Sequence, residues 1–180
     1  MKKNISVLLL LSLLLCGCNA QTPETTVEPG NPVLTSFSAT DLDGNTVDQQ
    51  ILSGHKLTMI NVWGTFCEPC IREMPDLGEL HTAYGDDFQV IGIAIDITDR
   101  NLQPLPDMTE KAKQIITETG ADYLHLRPSK SLNETFLSEV TSVPVTIFVD
   151  ENGNQIGQTY IGAKAKEQWQ EIIEALLKQL

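Results

Sequence analysis

The two cysteines Cys67 and Cys70, which are separated by two residues, are the side chains of this sequence best suited to chemistry. Such a pair can close a small disulfide ring or open to a dithiol with little backbone movement, so it forms a reversible two-electron switch. If a strand turns into a helix at Cys67, the sulfur of this residue lies at the positive end of the helix dipole, where its thiolate is favoured and reactive. The pattern predicts thiol–disulfide exchange in which Cys67 attacks and the more buried Cys70 resolves the mixed disulfide.

Three other roles for this pair have to be compared with exchange chemistry. A static structural disulfide of this spacing would restrain little chain entropy, because the ring is short. A zinc site would need further ligands, but the sequence has no second pair of this kind, and His55, His81 and His125 are isolated from one another. Two soft sulfur ligands leave a copper-binding module as the non-enzymatic alternative, although no His or Met is suitably placed beside them. We therefore expect no metal and no cofactor.

Two glutamates lie close enough to the cysteines in sequence to change their chemistry. Glu73 follows Cys67 by six residues, so one helical face could bring its carboxylate near the thiols, where it would accept or relay a proton. The alternative for Glu73 is a solvated position on the helix surface. Glu68 lies between the cysteines, where its charge would oppose thiolate formation unless the side chain points to water.

The segments around the CxxC motif predict a strand followed by a helix. Residues Leu57–Trp63 form an apolar run of strand length, which is typical of a central strand covered on both faces. From residue 68 onward the apolar side chains recur at helical spacing, and a glycine at position 85 ends the pattern. Pro69 suits the first turn of this helix, whereas Pro75 lies inside it and predicts a kink.

The rest of the chain alternates between strand and helix patterns. Strands are predicted over residues 37–40, 88–95, 123–126, 145–149 and 155–161, and helices over residues 108–119 and 132–138. A final amphipathic helix has an apolar face that consists of Trp169, Ile172, Ile173, Leu176, Leu177 and Leu180. This order predicts an α/β fold with a central mixed β-sheet flanked by helices, in which a hairpin of residues 145–161 supplies antiparallel edge strands.

Three motifs together make the chain similar to a known superfamily. They are residues 63–70 (Trp-Gly-Thr-Phe-Cys-Glu-Pro-Cys), residues 72–75 (Arg-Glu-Met-Pro) and, much later, residues 142–146 (Ser-Val-Pro-Val-Thr). Through these motifs, residues 34–180 resemble the thioredoxin superfamily and, within it, the membrane-tethered TlpA/ResA-type thiol–disulfide oxidoreductases of bacteria. The resemblance implies a thioredoxin-like fold and an enzyme that exchanges disulfides through its CxxC motif.

The resemblance also assigns roles to residues around the motif. In the superfamily the bond before the proline that corresponds to Pro144 is cis and lies against the CxxC motif, which leaves the preceding backbone, here that of Val143, free to pair with substrate. Trp63 could be a lid beside the disulfide or a core residue. The candidate catalytic residues are Cys67, Cys70, Glu73 and Pro144, and the candidate substrate contacts are Trp63, Glu68, Pro69 and Val143.

Asn61 marks a departure from part of the superfamily. In thioredoxins proper a buried aspartate occupies this position of the central strand, and an amide in its place removes that proton acceptor. Glu73 is therefore the better candidate for the proton role, as the resembled TlpA/ResA-type proteins suggest.

The first residues of the chain resemble an export signal and are not expected in the folded domain. Lys2 and Lys3 precede an apolar stretch over residues 5–15, which is too short to cross a bilayer comfortably. Residues 15–18 (Leu-Cys-Gly-Cys) resemble the bacterial lipobox, which implies cleavage after Gly17 and lipidation of Cys18; an ordinary cleaved signal and an uncleaved short anchor are the alternatives. We expect a lipoprotein signal peptide over residues 1–17, a lipidated N-terminus and flexible tether over residues 18–33, and the domain over residues 34–180.

Composition limits the class of partner. The sequence has 24 acidic and 12 basic side chains, and removal of residues 1–17, with Lys2 and Lys3, takes the formal net charge from −12 to −14. A chain this acidic is not expected to bind nucleic acid or to adhere electrostatically to anionic lipid. The expected partners are an exported disulfide-containing client protein, a membrane thiol donor and the membrane itself through the lipid anchor, at an extracytoplasmic location.

The direction of exchange is open at this stage. The preferred function is a reductase of disulfides in exported proteins, and in the resembled family such clients include apocytochrome c and methionine sulfoxide reductases. A disulfide-donating oxidase of similar fold is the alternative, because the spacing of the cysteines does not set the direction. A non-enzymatic copper-binding lipoprotein is the alternative from another class. A peroxiredoxin is disfavoured, since the Pro-x-x-x-Thr-x-x-Cys pattern is absent around Thr65 and Cys67.

Overall fold

The computed structural model describes residues 30–180, and its centre is a fully buried strand. This strand, β4 (Leu57–Trp63), is the predicted apolar run, and all seven of its residues are buried. It pairs in parallel with β5 (Phe88–Ala94) and antiparallel with β7 (Val145–Asp150). Side chains on both faces of β4 are covered by other elements, which explains why its sequence lacks the alternation of a half-exposed strand.

Six strands form one mixed sheet in the order β1-β8-β7-β4-β5-β6. The remaining members are β1 (Asn31–Pro32), β6 (Leu124–Leu126) and β8 (Asn154–Ile161). The pairs β4–β5 and β5–β6 are parallel and the others are antiparallel, which confirms the predicted mixed sheet. The predicted hairpin of β7 and β8 forms, but its predicted placement at the edge was wrong, because β1 lies outside β8 and β7 is further inside the sheet. This strand lies between β8 and β4, because its run of apolar residues is buried on both faces of the sheet.

A separate two-stranded hairpin joins β2 (Ser38–Thr40) to β3 (Thr46–Asp48). The turn between them is held by Asp41, whose carboxylate accepts hydrogen bonds from the backbone N–H groups of Asp43 and Asn45. The strand predicted over residues 37–40 is therefore present as β2, and it pairs with β3 rather than with the main sheet.

Four α-helices cover the main sheet: α1 (Glu68–Ala83), α2 (Pro106–Thr119), α3 (Lys130–Thr135) and α4 (Lys166–Leu177). Apolar residues of α1, α2 and α4 pack against one face in a single cluster. The other face is covered by α3 together with the N-terminal segment that contains Val33, Leu34 and Phe37. The fold is thus the predicted central mixed sheet flanked by helices.

Helix boundaries differ from the prediction at three places. Helix α2 begins at Pro106, which lacks a backbone N–H that the first turn would leave unpaired in any case. Helix α3 begins and ends earlier than predicted, because the Ser129 side chain caps it by accepting from the Leu132 N–H. Helix α4 ends at Leu177, so Leu180, which was predicted on its apolar face, lies beyond the helix and is exposed.

Residues 30–33, which were expected in the tether, are paired or packed with the domain. The Gly30 N–H donates to the Gln155 carbonyl at 3.0 Å, and β1 pairs with the first residues of β8. Val33 and Leu34 are buried, since the chain crosses the apolar face that α3 also covers. The predicted signal peptide and Cys18 lie outside the described residues. Among the helices of residues 30–180, none has the length and apolar character needed to cross a membrane.

Candidate active site

Cys67 and Cys70 are joined by a disulfide at the N-terminus of α1. Cys67 is the residue that caps the helix, and its Sγ accepts a hydrogen bond from the Cys70 N–H at 3.2 Å. The side chain of Cys67 is 5% exposed, whereas that of Cys70 is completely buried. Both residues are buried, and only Cys67 keeps any exposed surface, so access to the disulfide is from its side.

The loop that carries Cys67 is fastened to the neighbouring strand through Asp96. The Asp96 carboxylate accepts from the Thr65 N–H at 3.0 and 3.1 Å and from the Thr65 hydroxyl at 2.7 Å. Thr65 is buried, so these bonds satisfy donors that have little access to water. Sequence reasoning missed Asp96. An available signal was its position just after β5, because parallel neighbouring strands end at the same edge of a sheet.

Glu73 is buried on α1, one turn after Cys70. Its carboxylate is 3% exposed and receives three hydrogen bonds from three different parts of the chain. The Asn61 side-chain amide donates to Oε1 at 3.1 Å, and Oε2 accepts from the Lys164 backbone N–H at 3.2 Å and the Trp169 indole N–H at 3.3 Å. The alternative of a solvated helix glutamate therefore does not describe this side chain.

Burial dominates the electrostatics of Glu73. Removal of the carboxylate from water raises its pKa above the ordinary value, because the charged form loses hydration. The hydrogen bonds from Lys164, Asn61 and Trp169, and the positive charge of Lys164, lower the pKa but do not compensate for burial. A carboxyl group in this environment keeps its proton to a higher pH than an exposed glutamate does.

Asn61 connects Glu73 to the strand that follows Pro144. Its Nδ2 atom donates both to Glu73 Oε1 and to Thr146 Oγ1, each at 3.1 Å. Asn61 Oδ1 is buried and accepts no hydrogen bond within the described residues. An amide can serve here because it donates to the carboxylate, whereas a second ionised carboxylate at this position would repel it.

Pro144 directly precedes β7 and lies beside the end of β4 from which the CxxC loop leaves. Val62 of β4 pairs with Val145 of β7, so Pro144 stands beside the end of β4. The Val143–Pro144 peptide bond is cis, and the Pro144 carbonyl accepts from the Gly162 N–H at 2.9 Å. Val143 is half-buried, and Pro144 is buried.

The four candidate substrate contacts differ in their exposure to solvent. Glu68 and Pro69 are exposed, and Glu68 points to water, where it forms an ion pair with Arg72 at 2.7 Å. Trp63, in contrast, is completely buried, and its indole N–H donates to His125 Nδ1 at 3.2 Å. The position of Trp63 favours the core interpretation over the lid, and its side chain does not reach the surface that a client would contact.

His125 has a structural role beneath the active-site loop. Its Nδ1 accepts from Trp63, so its Nε2 donates to the Ala121 carbonyl at 3.1 Å. Burial lowers the pKa of His125 to about 4, so the ring is neutral under most conditions. This arrangement leaves little room, since a Cβ atom on Gly92 would lie 2.2 Å from His125 Nδ1.

Sequence reasoning missed two exposed apolar side chains, one next to Cys67 in sequence and one beside the start of β7. Phe66, directly before Cys67, is 67% exposed, and Ile161 is 69% exposed. Ile161 pairs with Val145, so it lies beside the Pro144 turn. The signal in the sequence was an aromatic residue between a buried strand and the CxxC motif, where no partner element is available to cover it. Within residues 30–180, no group of three or more His, Cys, Asp or Glu side chains is placed to hold a metal ion.

The arrangement of the cysteine pair and its surroundings indicates one class of reaction. A disulfide at the start of a helix, with a buried carboxyl one turn after its second cysteine, is organised for exchange with another disulfide. The chain belongs to the Redoxin family, whose model matches residues 28–175. It is an enzyme of the thiol–disulfide oxidoreductase class, as predicted, and this class acts on client proteins that contain disulfides.

Comparisons with individual proteins agree with this class. The chain is 26% identical over 185 residues to the thiol-disulfide oxidoreductase ResA of Bacillus thuringiensis subsp. konkukian, and the match covers 98% of this chain and 99% of the relative. The structure resembles a thiol:disulfide interchange protein of Chlorobium tepidum TLS with a TM-score of 0.66 and 24% identity, over 84% of this chain and 98% of that one. It also resembles the exposed lipoprotein thioredoxin Etrx1 of Streptococcus pneumoniae strain TIGR4 with a TM-score of 0.61 and 26% identity, over 78% of this chain and 99% of that one.

Proposed function

We propose that the protein reduces disulfides in exported client proteins, with Cys67 as the attacking thiolate, Cys70 as the resolving thiol and Glu73 as the proton carrier. The observation that carries this proposal is the buried carboxyl of Glu73 one helical turn after the buried sulfur of Cys70. Residues three apart on a helix lie on the same face, so the carboxyl and the resolving thiol are neighbours.

The proposed reaction transfers two electrons and two protons to the client. The Cys67 thiolate attacks one sulfur of the client disulfide, which forms a mixed disulfide and releases a client thiolate that takes up a proton. Cys70 then loses its proton and attacks the Cys67 sulfur, which expels the second client thiolate and closes the Cys67–Cys70 disulfide. A membrane thiol donor regenerates the dithiol by the same steps in reverse.

Glu73 fits the proton transfer of the second step. The Cys70 sulfur is completely buried, so water is not in place to remove its proton. A carboxyl group whose pKa is raised by burial accepts that proton more readily than an exposed one, and it can return the proton to the leaving thiolate. The hydrogen bonds from Asn61 and Lys164 keep the carboxylate oriented while it is charged.

The surface around Cys67 suits a client segment with apolar side chains. Phe66, directly before Cys67, and Ile161, beside the start of β7, present exposed apolar area, and half-buried Val143 lies next to Pro144. Exposed apolar residues beside a reactive group are typical of recognition surfaces. Glu68 and Pro69 complete the exposed rim and are the remaining candidate contacts.

The proposed location is the extracytoplasmic face of a bacterial membrane, with a lipid on Cys18 as the anchor. The support is the lipobox-like sequence at residues 15–18, together with the likeness to a pneumococcal protein described as an exposed lipoprotein thioredoxin. Replacement of Cys18 by serine tests the anchor: the protein is expected to move from the membrane fraction to the soluble fraction, and unchanged membrane association would contradict lipidation at Cys18.

The direction of exchange is tested by the reduction potential of the Cys67–Cys70 pair in thiol buffers. A value near roughly −230 to −270 mV, in the range of glutaredoxins and thioredoxin, supports a reductase. A value near about −120 mV, like that of a strong disulfide donor, would replace the reductase by an oxidase. The copper alternative predicts tight copper binding by the reduced protein, and a titration without such binding excludes it.

A further inference from the structure

Trp169 was expected only as a core residue of the last helix, but it also contacts the buried carboxyl. The side chain is completely buried, and its indole N–H donates to Glu73 Oε2 at 3.3 Å across 96 residues of sequence. The indole is held in place by edge-on contacts with the rings of Phe148 and Tyr160, at centroid distances of 6.1 and 5.6 Å. Its N–H therefore points at the carboxylate from a rigid position.

We propose that Trp169 is a positioning residue that holds the Glu73 carboxylate in the orientation required for proton exchange beside the CxxC pair. This inference rests on the proton role of Glu73 proposed above. The two carboxylate oxygens have different donors: Oε1 accepts from Asn61, and Oε2 accepts from Trp169 and from the Lys164 backbone N–H. Trp169 supplies the side-chain donor on the Oε2 side, so this oxygen keeps only the Lys164 backbone N–H when the indole is removed.

The same indole also contacts the positive charge nearest to Glu73. The Lys164 ammonium lies 5.7 Å from the Trp169 ring centroid and 5.4 Å from that of Tyr160, which is cation–π geometry. Lys164 favours the ionised form of Glu73 through its charge. Trp169 thus stabilises the carboxylate directly through its N–H and indirectly by holding the ammonium nearby.

Other ionisable groups around Glu73 must be included when its titration is interpreted. Tyr123 faces it from the β6 side, and burial, with a further contribution from the charge of Glu73, raises the pKa of Tyr123, so that this hydroxyl stays neutral. The two thiols of the reduced CxxC pair lie on the same helix. Neither Tyr123 nor the thiols donate to the carboxylate in the structure, so the loss of the Trp169 N–H leaves Oε2 with the Lys164 backbone alone.

The variant Trp169→Phe tests the inference, because it removes the N–H and keeps an aromatic ring. We expect Glu73 to titrate at higher pH in this variant than in the unmodified protein, as measured by the carboxyl resonance in ¹³C NMR and assigned by its loss in Glu73→Gln. Trp63→Phe is the matched control, since it removes a buried indole N–H that donates to His125 rather than to Glu73. An unchanged Glu73 titration in Trp169→Phe, or an equal shift in both variants, would overturn the inference.

The pH profile of client reduction separates failure of this inference from failure of the proposed function. Trp169→Phe should shift the profile to higher pH, and it should cause no further shift in a Glu73→Gln background. If Glu73→Gln leaves the profile unchanged, the proton role of Glu73 fails, while the NMR titration still decides whether Trp169 holds the carboxylate.

A measurement on the unmodified indole covers the case in which Trp169→Phe does not fold. Ionisation of a carboxyl 3.3 Å from the indole N–H changes tryptophan emission, so the protein should show a fluorescence titration with the midpoint of Glu73. This component should disappear in Glu73→Gln, and its persistence there would contradict the contact.

Discussion

The hydrogen bonds from Thr65 to Asp96 are expected to carry much of the stability of the active-site loop. Asp96→Ala leaves the buried N–H and hydroxyl of Thr65 without acceptors. Because each buried donor without a partner costs about 1–3 kcal/mol, the loss of acceptors for these two donors should lower the free energy of unfolding by about 2–6 kcal/mol. Thr65→Val removes only the hydroxyl and keeps the N–H bond to the carboxylate, so its loss should be nearer to ~1 kcal/mol.

Urea denaturation of the oxidised protein measures these differences, and Asp99→Ala provides a matched control. Asp99 also accepts from two backbone N–H groups, those of Asn101 and Gln103, each at 2.8 Å, but these donors are exposed. Water can replace the Asp99 carboxylate as the acceptor, so Asp99→Ala should lower the free energy of unfolding by less than about 1 kcal/mol. If Asp96→Ala is no more destabilising than Asp99→Ala, burial of the Thr65 donors does not support the loop and the reasoning fails. Faster reduction of the disulfide by a small thiol is expected in Asp96→Ala, because release of the loop uncovers Cys67.

Three further predictions concern the cysteines, the buried carboxyl and the packing beneath them. Cys70→Ser should trap mixed disulfides through Cys67 on a non-reducing gel, whereas equal trapping by Cys67→Ser would contradict the assigned roles. Burial raises the pKa of Glu73 in the folded state, so its contribution to stability is greatest below the ordinary value of 4.5 and falls as pH rises towards the folded pKa. Urea denaturation between pH 4 and pH 8 should show this decline in the unmodified protein and not in Glu73→Gln; a decline of equal size in both would exclude Glu73 as its source. Gly92→Ala should lose about 1–3 kcal/mol in the same assay, because its Cβ would overlap His125, and full stability would show that the ring moves without cost.

Local patterns in the sequence were sufficient to predict the strand and the helix on either side of the CxxC loop. The apolar run of β4 and the helical spacing after Cys67 are both properties of neighbouring residues, and α1 begins at Glu68 as predicted. The surroundings of Glu73 could not be predicted in this way. Two of its donors, Lys164 and Trp169, lie 91 and 96 residues away in sequence, and only the packing of α4 against α1 brings them to the carboxylate.

One error, the edge position of β7, and one choice left open, between a core and a lid position for Trp63, have the same physical origin. The interior position of β7 and the burial of Trp63 depend on which strands become neighbours, and hydrophobic periodicity describes a strand without naming its partners. Phe66 is the opposite case, an aromatic residue that follows an apolar run and is nevertheless exposed. It is uncovered because the CxxC loop turns outward there.

The described chain enters the domain at one end of the sheet and carries its disulfide at the other, and these two ends are here called the poles of the domain. Gly30 and β1 join the sheet at the first residues of β8, beside the end of β4 that starts at Leu57, whereas Cys67 follows the opposite end of that strand. At about 3.3 Å per residue, the length of β4 separates these poles by roughly 20 Å. An attachment upstream of Gly30 therefore holds the domain by the pole remote from its disulfide. A chain anchored to a bilayer in this way would present Cys67 outward to approaching clients, and the domain would have to turn over on its attachment to meet a thiol donor embedded in the same bilayer.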